Sequence, residues 1–277
     1  MLVGVTLRNM GPESTRTMMA DCVRVAEDRE IESVWITDHV AIPPDDAQGS
    51  GGRYVDPFAT LSWFAGLTSK IKLGAGVIVL PYRPPLLLAR QVAAVQELSA
   101  GRLLLGVGIG WMAAEFRAVG ADLRNRARDS DAALEFLNRC FANDVVEANG
   151  QPFLFKPRPP RPPVLVGGRP PHALERAARY GDGWLPMGLE PADVGPMRVR
   201  FTNEIRLQQY SLAGPHELAP VQPQRADSAA HRIAHYRRLV VGRLTNNGDA
   251  AGGTFFGGNH CGNTLTQLLL LIKETRQ

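Results

Sequence analysis

The 277 residues suit one large α/β domain or two small ones, and 44% apolar with 21% charged residues can bury a full core. No stretch approaches the ~20 uninterrupted apolar residues of a membrane helix. Cys22, Cys140 and Cys261 are too scattered for a disulfide framework or a metal site, so reduced thiols in a cytoplasmic protein are expected. The net charge of +4 divides unevenly, with −3 on residues 1–150 and +7 on residues 151–277. A basic second half suits either an anionic cofactor or substrate or a plain solvated surface. Dispersed arginines without interleaved aromatics argue against nucleic-acid binding.

The predicted elements alternate strand and helix. Leu2–Leu7 reads as a strand with no basic leader ahead of it, so no export signal is expected. A helix over Thr15–Arg29 follows, then a strand at Ser33–Asp38, a helix at Pro57–Leu67 and a β-branched strand at Ile71–Leu80. Next come a helix at Leu86–Leu98, a strand at Arg102–Gly108 and a helix at Asp129–Phe141. The prolines of Arg158–Pro163 forbid a helix and read as a rigid connector into a strand at Pro163–Gly167. A helix at His172–Tyr180 and a sixth strand at Gly183–Met187 complete the clear part.

Near-continuous apolar strands alternating with helices require a parallel sheet covered on both faces, and therefore βαβ units. A single (β/α)8 TIM barrel over residues 1–277 is the expected architecture. It needs two further strands, for which Ile205–Leu212 and Arg238–Leu244 are the candidates, with helices near Ser228–Tyr236 and Thr264–Glu274. Pro-rich and Gly/Asn-rich stretches make this closure over residues 202–277 atypical.

In such barrels the active site lies at the C-terminal ends of the strands. Asp38-His39 ends the second strand, and His39 is the acid–base candidate because imidazole titrates near neutrality. Asp38 would orient that imidazole, contact a cofactor, or cap the following loop. Gly108-Ile109-Gly110-Trp111 ends the fourth strand, where bare backbone lets a flat or anionic ligand approach. Gly167-Gly168-Arg169, followed by Pro170-Pro171 and a helix, is either a phosphate seat or a tight turn without a ligand. Trp111 and Trp184 could pack on a ring system or on their own neighbours. Glu97 and Glu115 have no paired carboxylate in view, so glycosidase chemistry has no support. His231 and His235 are spaced as a metal pair on a helix, but no third ligand accompanies them and no metal is expected.

Four segments together resemble the luciferase-like monooxygenase family, in particular its branch using the deazaflavin coenzyme F420. They are SVWITDHVAIP (Ser33–Pro43), Asp56–Pro85, Leu88–Gly120 and Pro162–Met187, in the family's order. The resemblance implies a bacterial-luciferase-type barrel with the cofactor ring across the strand C-termini. Asp38 and His39 would lie beside the ring, and a non-proline cis peptide at Gly76–Val77 would form a bulge behind it. Gly108 to Trp111 would border the ring, and Gly167 and Gly168 would bind the phosphate. Family members that oxidise sugar phosphates carry a carboxylate just after the fourth strand, where this chain has Trp111-Met112. The activity implied is hydride transfer between a small organic substrate and F420. The alternatives are an FMN-dependent oxygenase fed by a separate reductase, and a flavin-binding barrel without catalysis. A cofactor-free isomerase acting on phosphates is a more distant one. A homodimer is compatible with the family.

Overall fold

The computed structural model describes residues 2–187, 240–243 and 265–272. Eight strands close a barrel in the order β1-β10-β9-β8-β7-β4-β3-β2. These are β1 (Leu2–Leu7), β2 (Ser33–Ile36), β3 (Lys72–Val79), β4 (Leu103–Gly108), β7 (Val164–Gly168), β8 (Gly183–Pro186), β9 (Val240–Arg243) and β10 (Leu265–Ile272). A two-stranded hairpin, β5 (Val145–Ala148) and β6 (Gln151–Leu154), stands outside the barrel. The strands from β1 through β9 run parallel around the barrel, while β10 is antiparallel to both β1 and β9.

The helices are α1 (Arg16–Asp28), α2 (Pro57–Leu67), α3 (Pro85–Leu98), α4 (Ala113–Ala118), α5 (Arg126–Ala142) and α6 (His172–Tyr180). Local chemistry sets their starts. Thr15 caps α1 by accepting from the Met18 amide at 3.2 Å. Asp56 caps α2 by accepting from the Ala59 amide at 2.8 Å, with Pro57 in the first turn. On α1 the buried Met19, Cys22, Val23 and Ala26 follow helical spacing and face the barrel.

Two layers of core result. The outer one packs helices on strands, for example Phe64, Leu88 and Leu137 against Leu73 and Leu105. The inner one fills the barrel with Trp35, Leu104, Leu165 and Leu185, topped by Val77. Trp35 is fully buried, and its ring occupies the space above Gly74, where a Cβ would come within 2.4 Å of it. Burial of such a large side chain contributes roughly 1.5–3 kcal/mol or more.

The end of the chain differs from expectation. Leu265–Ile272 is a strand, not part of a helix over Thr264–Glu274. A short apolar run such as LTQLLLLI carries no period that separates strand from helix, and here pairing with β1 and β9 decides it. The antiparallel β10 also makes the closure atypical for a (β/α)8 barrel. The strand expected over Arg238–Leu244 is present as β9. Ile205–Leu212, Ser228–Tyr236 with His231 and His235, and Cys261 lie outside the described residues. Arg158–Pro163 is irregular backbone leading into β7. Among the described residues no helix is long and apolar enough to cross a membrane.

Candidate active site

The C-terminal strand ends surround a cavity of about 510 Å3. β1 contributes Leu7 and Arg8 to its wall, β2 contributes Asp38 and His39, and β3 contributes Gly76 and Val77. Gly108 to Trp111 come from β4 and the turn after it, and Gly167 and Gly168 from β7. Ten of the residues expected at a site on sequence grounds therefore share one opening. Tyr54, Tyr82 and Glu115 join them from the loops and from α4.

The central feature is a hydrogen-bonded cluster around Glu115, which is fully buried. His39 Nδ1 lies 2.9 Å from Glu115 Oε2, and the Tyr82 hydroxyl donates to the same oxygen at 2.9 Å. The amides of Val40 and Ala41 donate to Oε1 at 2.6 and 3.1 Å. Burial alone would raise the Glu115 pKa. The two amides, the Tyr82 hydroxyl and the neighbouring imidazole outweigh it and hold the carboxyl below its ordinary value. An ionised carboxylate cannot donate, so the shared proton belongs on Nδ1. Neutral His39 then carries its lone pair on Nε2, the nitrogen left for a ligand. The imidazole also packs on Tyr54, with ring centroids 4.8 Å apart. Burial and then Glu115 push the Tyr82 hydroxyl pKa well above its usual value, so it stays a donor.

Of the roles open to Asp38, orienting the His39 imidazole is not the one the structure shows. Its carboxylate is buried and takes a two-pronged pair from Arg83, at 2.6 and 2.8 Å, and the Val79 amide at 2.9 Å. It ties the tip of β2 to the tip of β3. Glu115, 76 residues away in sequence, orients the imidazole instead. Asn9 makes a comparable tie, donating to the carbonyls of Thr37 and Val55 and accepting from the Thr37 amide. Sequence reasoning assigned no role to Asn9 or Tyr82, because their partners are remote along the chain.

The glycines also need another reading. The Gly76–Val77 peptide is cis, as the resemblance implied. A Cβ on Gly108 or Gly167 would fall 2.6 or 2.7 Å from the Val77 methyls, so these glycines make room for Val77. At Gly76 a Cβ would meet nothing closer than 3.6 Å, so bare backbone faces the cavity without a packing reason. Trp184 does not line the cavity. It is fully buried in the helix–strand core, and its indole N–H holds the Gly168 carbonyl at 2.9 Å. Arg169 is exposed and also absent from the cavity wall. Trp111 is at the rim, 72% exposed.

The family profile for luciferase-like monooxygenases matches residues 3–253. A 5,10-methylenetetrahydromethanopterin reductase of Archaeoglobus fulgidus is 30% identical over 176 residues, covering 62% of this chain and 49% of that one. A monooxygenase from Streptomyces bottropensis superposes with a TM-score of 0.62 at 24% identity, over 80% of this chain and 68% of that one. A coenzyme F420-dependent tetrahydromethanopterin reductase from Methanopyrus kandleri does so at 0.57 and 23% identity, over 76% and 62%. The chain thus spans about half the archaeal relative's length and about two thirds of these solved chains. With a profile match over most of its length and the barrel it specifies, the chain belongs to the luciferase-like monooxygenase family of oxidoreductases.

Proposed function

We propose that this chain transfers a hydride between a small organic substrate and coenzyme F420 at the mouth of its barrel. The observation that carries this reading is His39 held by a buried, ionised Glu115 at the edge of the cavity. Reversible alcohol–carbonyl chemistry needs such a group, because each hydride moved is coupled to one proton.

The residues present fit a flat ligand with an anionic tail. The cavity volume lies within the range of small-molecule sites. Gly76 presents bare backbone, and Val77, Ile109 and Trp111 supply apolar surface. Arg8 lines the same wall with a buried Nε that has no partner among the described residues. Gly167 and Gly168, just before α6, would hold the phosphate, and Asp38 with Arg83 would keep the ring-side tips of β2 and β3 in place.

The chemistry F420 would supply when bound is that of a hydride acceptor or donor. His39 Nε2 takes the hydroxyl proton of the substrate being oxidised, or gives it to the carbonyl oxygen in reverse. Glu115 stabilises the imidazolium and keeps the ring in one tautomer. The residues lining the barrel mouth would hold substrate and cofactor side by side, and such positioning accounts for much of the rate of enzymatic reactions.

A second reading is FMN-dependent oxygenation with reduced flavin supplied by a separate reductase; the Streptomyces neighbour is itself a monooxygenase. Titration of the purified protein with F420 and with FMN separates the two. Quenching of F420 fluorescence at concentrations where FMN does not bind supports the first reading, and the opposite order supports the second. Tight binding with no turnover on any substrate would indicate a barrel that binds the cofactor without catalysis.

A further inference from the structure

A second cavity, of about 570 Å3, adjoins the first and shares Ile109 at the tip of β4 with it. Its walls are Ile109, the turn before α5, the first two turns of α5 and one face of α6. Its charge is unbalanced. Arg124, Arg126, Arg176 and Arg179 face only Asp131 and Glu175. Arg176 is bound by Asp131, and Glu175 lies 3.5 Å from His172. That leaves Arg124, Arg126 and Arg179 without a carboxylate partner among the described residues. The Nε of Arg126 is buried and makes no hydrogen bond, although its Nη1 donates to the Leu123 carbonyl at 2.9 Å. A buried donor of this kind is costly unless a ligand satisfies it.

We propose that this basic pocket binds the carboxylates of an acidic cofactor tail, the γ-linked glutamates that F420 carries beyond its phosphate and FMN lacks. The inference rests on the F420 reading and extends it, since it assigns the choice between the two cofactors to residues remote from the ring. The route is short. A tail leaving the first cavity past Gly167 and Gly168 reaches the residues that begin α6, and His172, Glu175, Arg176 and Arg179 of that helix line the second. The guanidinium fork matches a carboxylate with two parallel hydrogen bonds. The pocket is open to solvent, so each contact is partly screened and the effect arises from several arginines together.

The test compares three ligands by equilibrium binding, without turnover. They are F420 with several glutamates, the same deazaflavin ending at its phospholactate, and FMN. The parent protein is set beside the double variant Arg124→Ala/Arg179→Ala, whose exposed side chains lie outside the core. The proposal expects the glutamylated form to bind about tenfold more tightly than the phospholactate form in the parent. That advantage disappears in the variant and shrinks as salt is raised, while the phospholactate form binds both proteins equally. Equal affinity for the two deazaflavins in the parent, or an advantage that survives in the variant, overturns the tail pocket alone. Failure of both deazaflavins to bind, with FMN binding normally, overturns the F420 reading and the pocket's role together.

Discussion

Replacing Glu115 by glutamine changes one oxygen for an amide group and leaves the side-chain volume intact. Four donors now converge on the carboxylate, from His39, Tyr82, Val40 and Ala41. The amide oxygen of Gln can keep the Val40 and Ala41 amides. Its NH2 then faces His39 Nδ1 and the Tyr82 hydroxyl. An NH2 group donates, so the preferred imidazole accepts at Nδ1 and carries its proton on Nε2. The nitrogen that should take a substrate proton is then already protonated. In hydrolytic triads the same exchange of carboxylate for amide, acting through the wrong tautomer, lowers turnover by about 10⁴-fold. With general-base catalysis worth about 10²–10⁴, Glu115→Gln should lower turnover by about that factor. Loss of the charge-assisted bonds should cost about 1–3 kcal/mol of stability, and the melting temperature should fall about 2–4 °C for each. Cofactor affinity should be nearly unchanged. Steady-state kinetics and 15N NMR of the imidazole read both effects. Turnover within threefold of the parent, or an unaltered Nδ1–H tautomer, would refute the reasoning.

Acid should destabilise the fold through groups whose folded pKa lies below its ordinary value, here Glu115 and Glu27. Glu27 accepts the Ser69, Lys70 and Ile71 amides on one oxygen. Their contribution is complete above the unfolded carboxyl value of 4.5 and is lost as pH falls through the lower folded values. Melting temperature against pH should therefore fall below about 4.5, and less steeply in Glu27→Gln. A flat profile to pH 3 would contradict it. Gly74→Ala places a methyl 2.4 Å from the Trp35 ring with no open space on that side. It should cost at least about 1–3 kcal/mol, measured by urea unfolding, and a neutral result would refute the account of the inner layer.

The barrel was legible where local signals agree with tertiary demand. Apolar runs such as SVWI and LLLGVG are buried along their whole length, as parallel strands between helices must be. Asp56-Pro57 marks the start of α2 through the cap it forms. The hairpin β5–β6 escaped notice because its strands are four residues long, with Val145 and Leu154 left exposed. Leu265–Ile272 escaped because pairing with distant strands, not any local period, fixes its conformation. At the site, strand-end position was enough to collect His39, Asp38 and the β4 and β7 tips into one opening. It could not pair them correctly, since the chain neighbour Asp38 is claimed by Arg83 and the distant Glu115 takes the imidazole. An acidic residue next to Phe116, in a short helix following the Gly-rich turn, was the available signal for Glu115. The glycines at 108 and 167 also leave room for Val77, which the sequence could not show, because Gly marks close approach without naming what approaches.

The central claim is that His39 moves the proton coupled to hydride transfer on a cofactor seated at the barrel mouth. The direct measurement is turnover and cofactor affinity of His39→Ala side by side. The account predicts an unchanged dissociation constant for F420 and a loss of turnover of about 10²-fold or more. Unchanged turnover, or loss of cofactor binding in place of turnover, would contradict it.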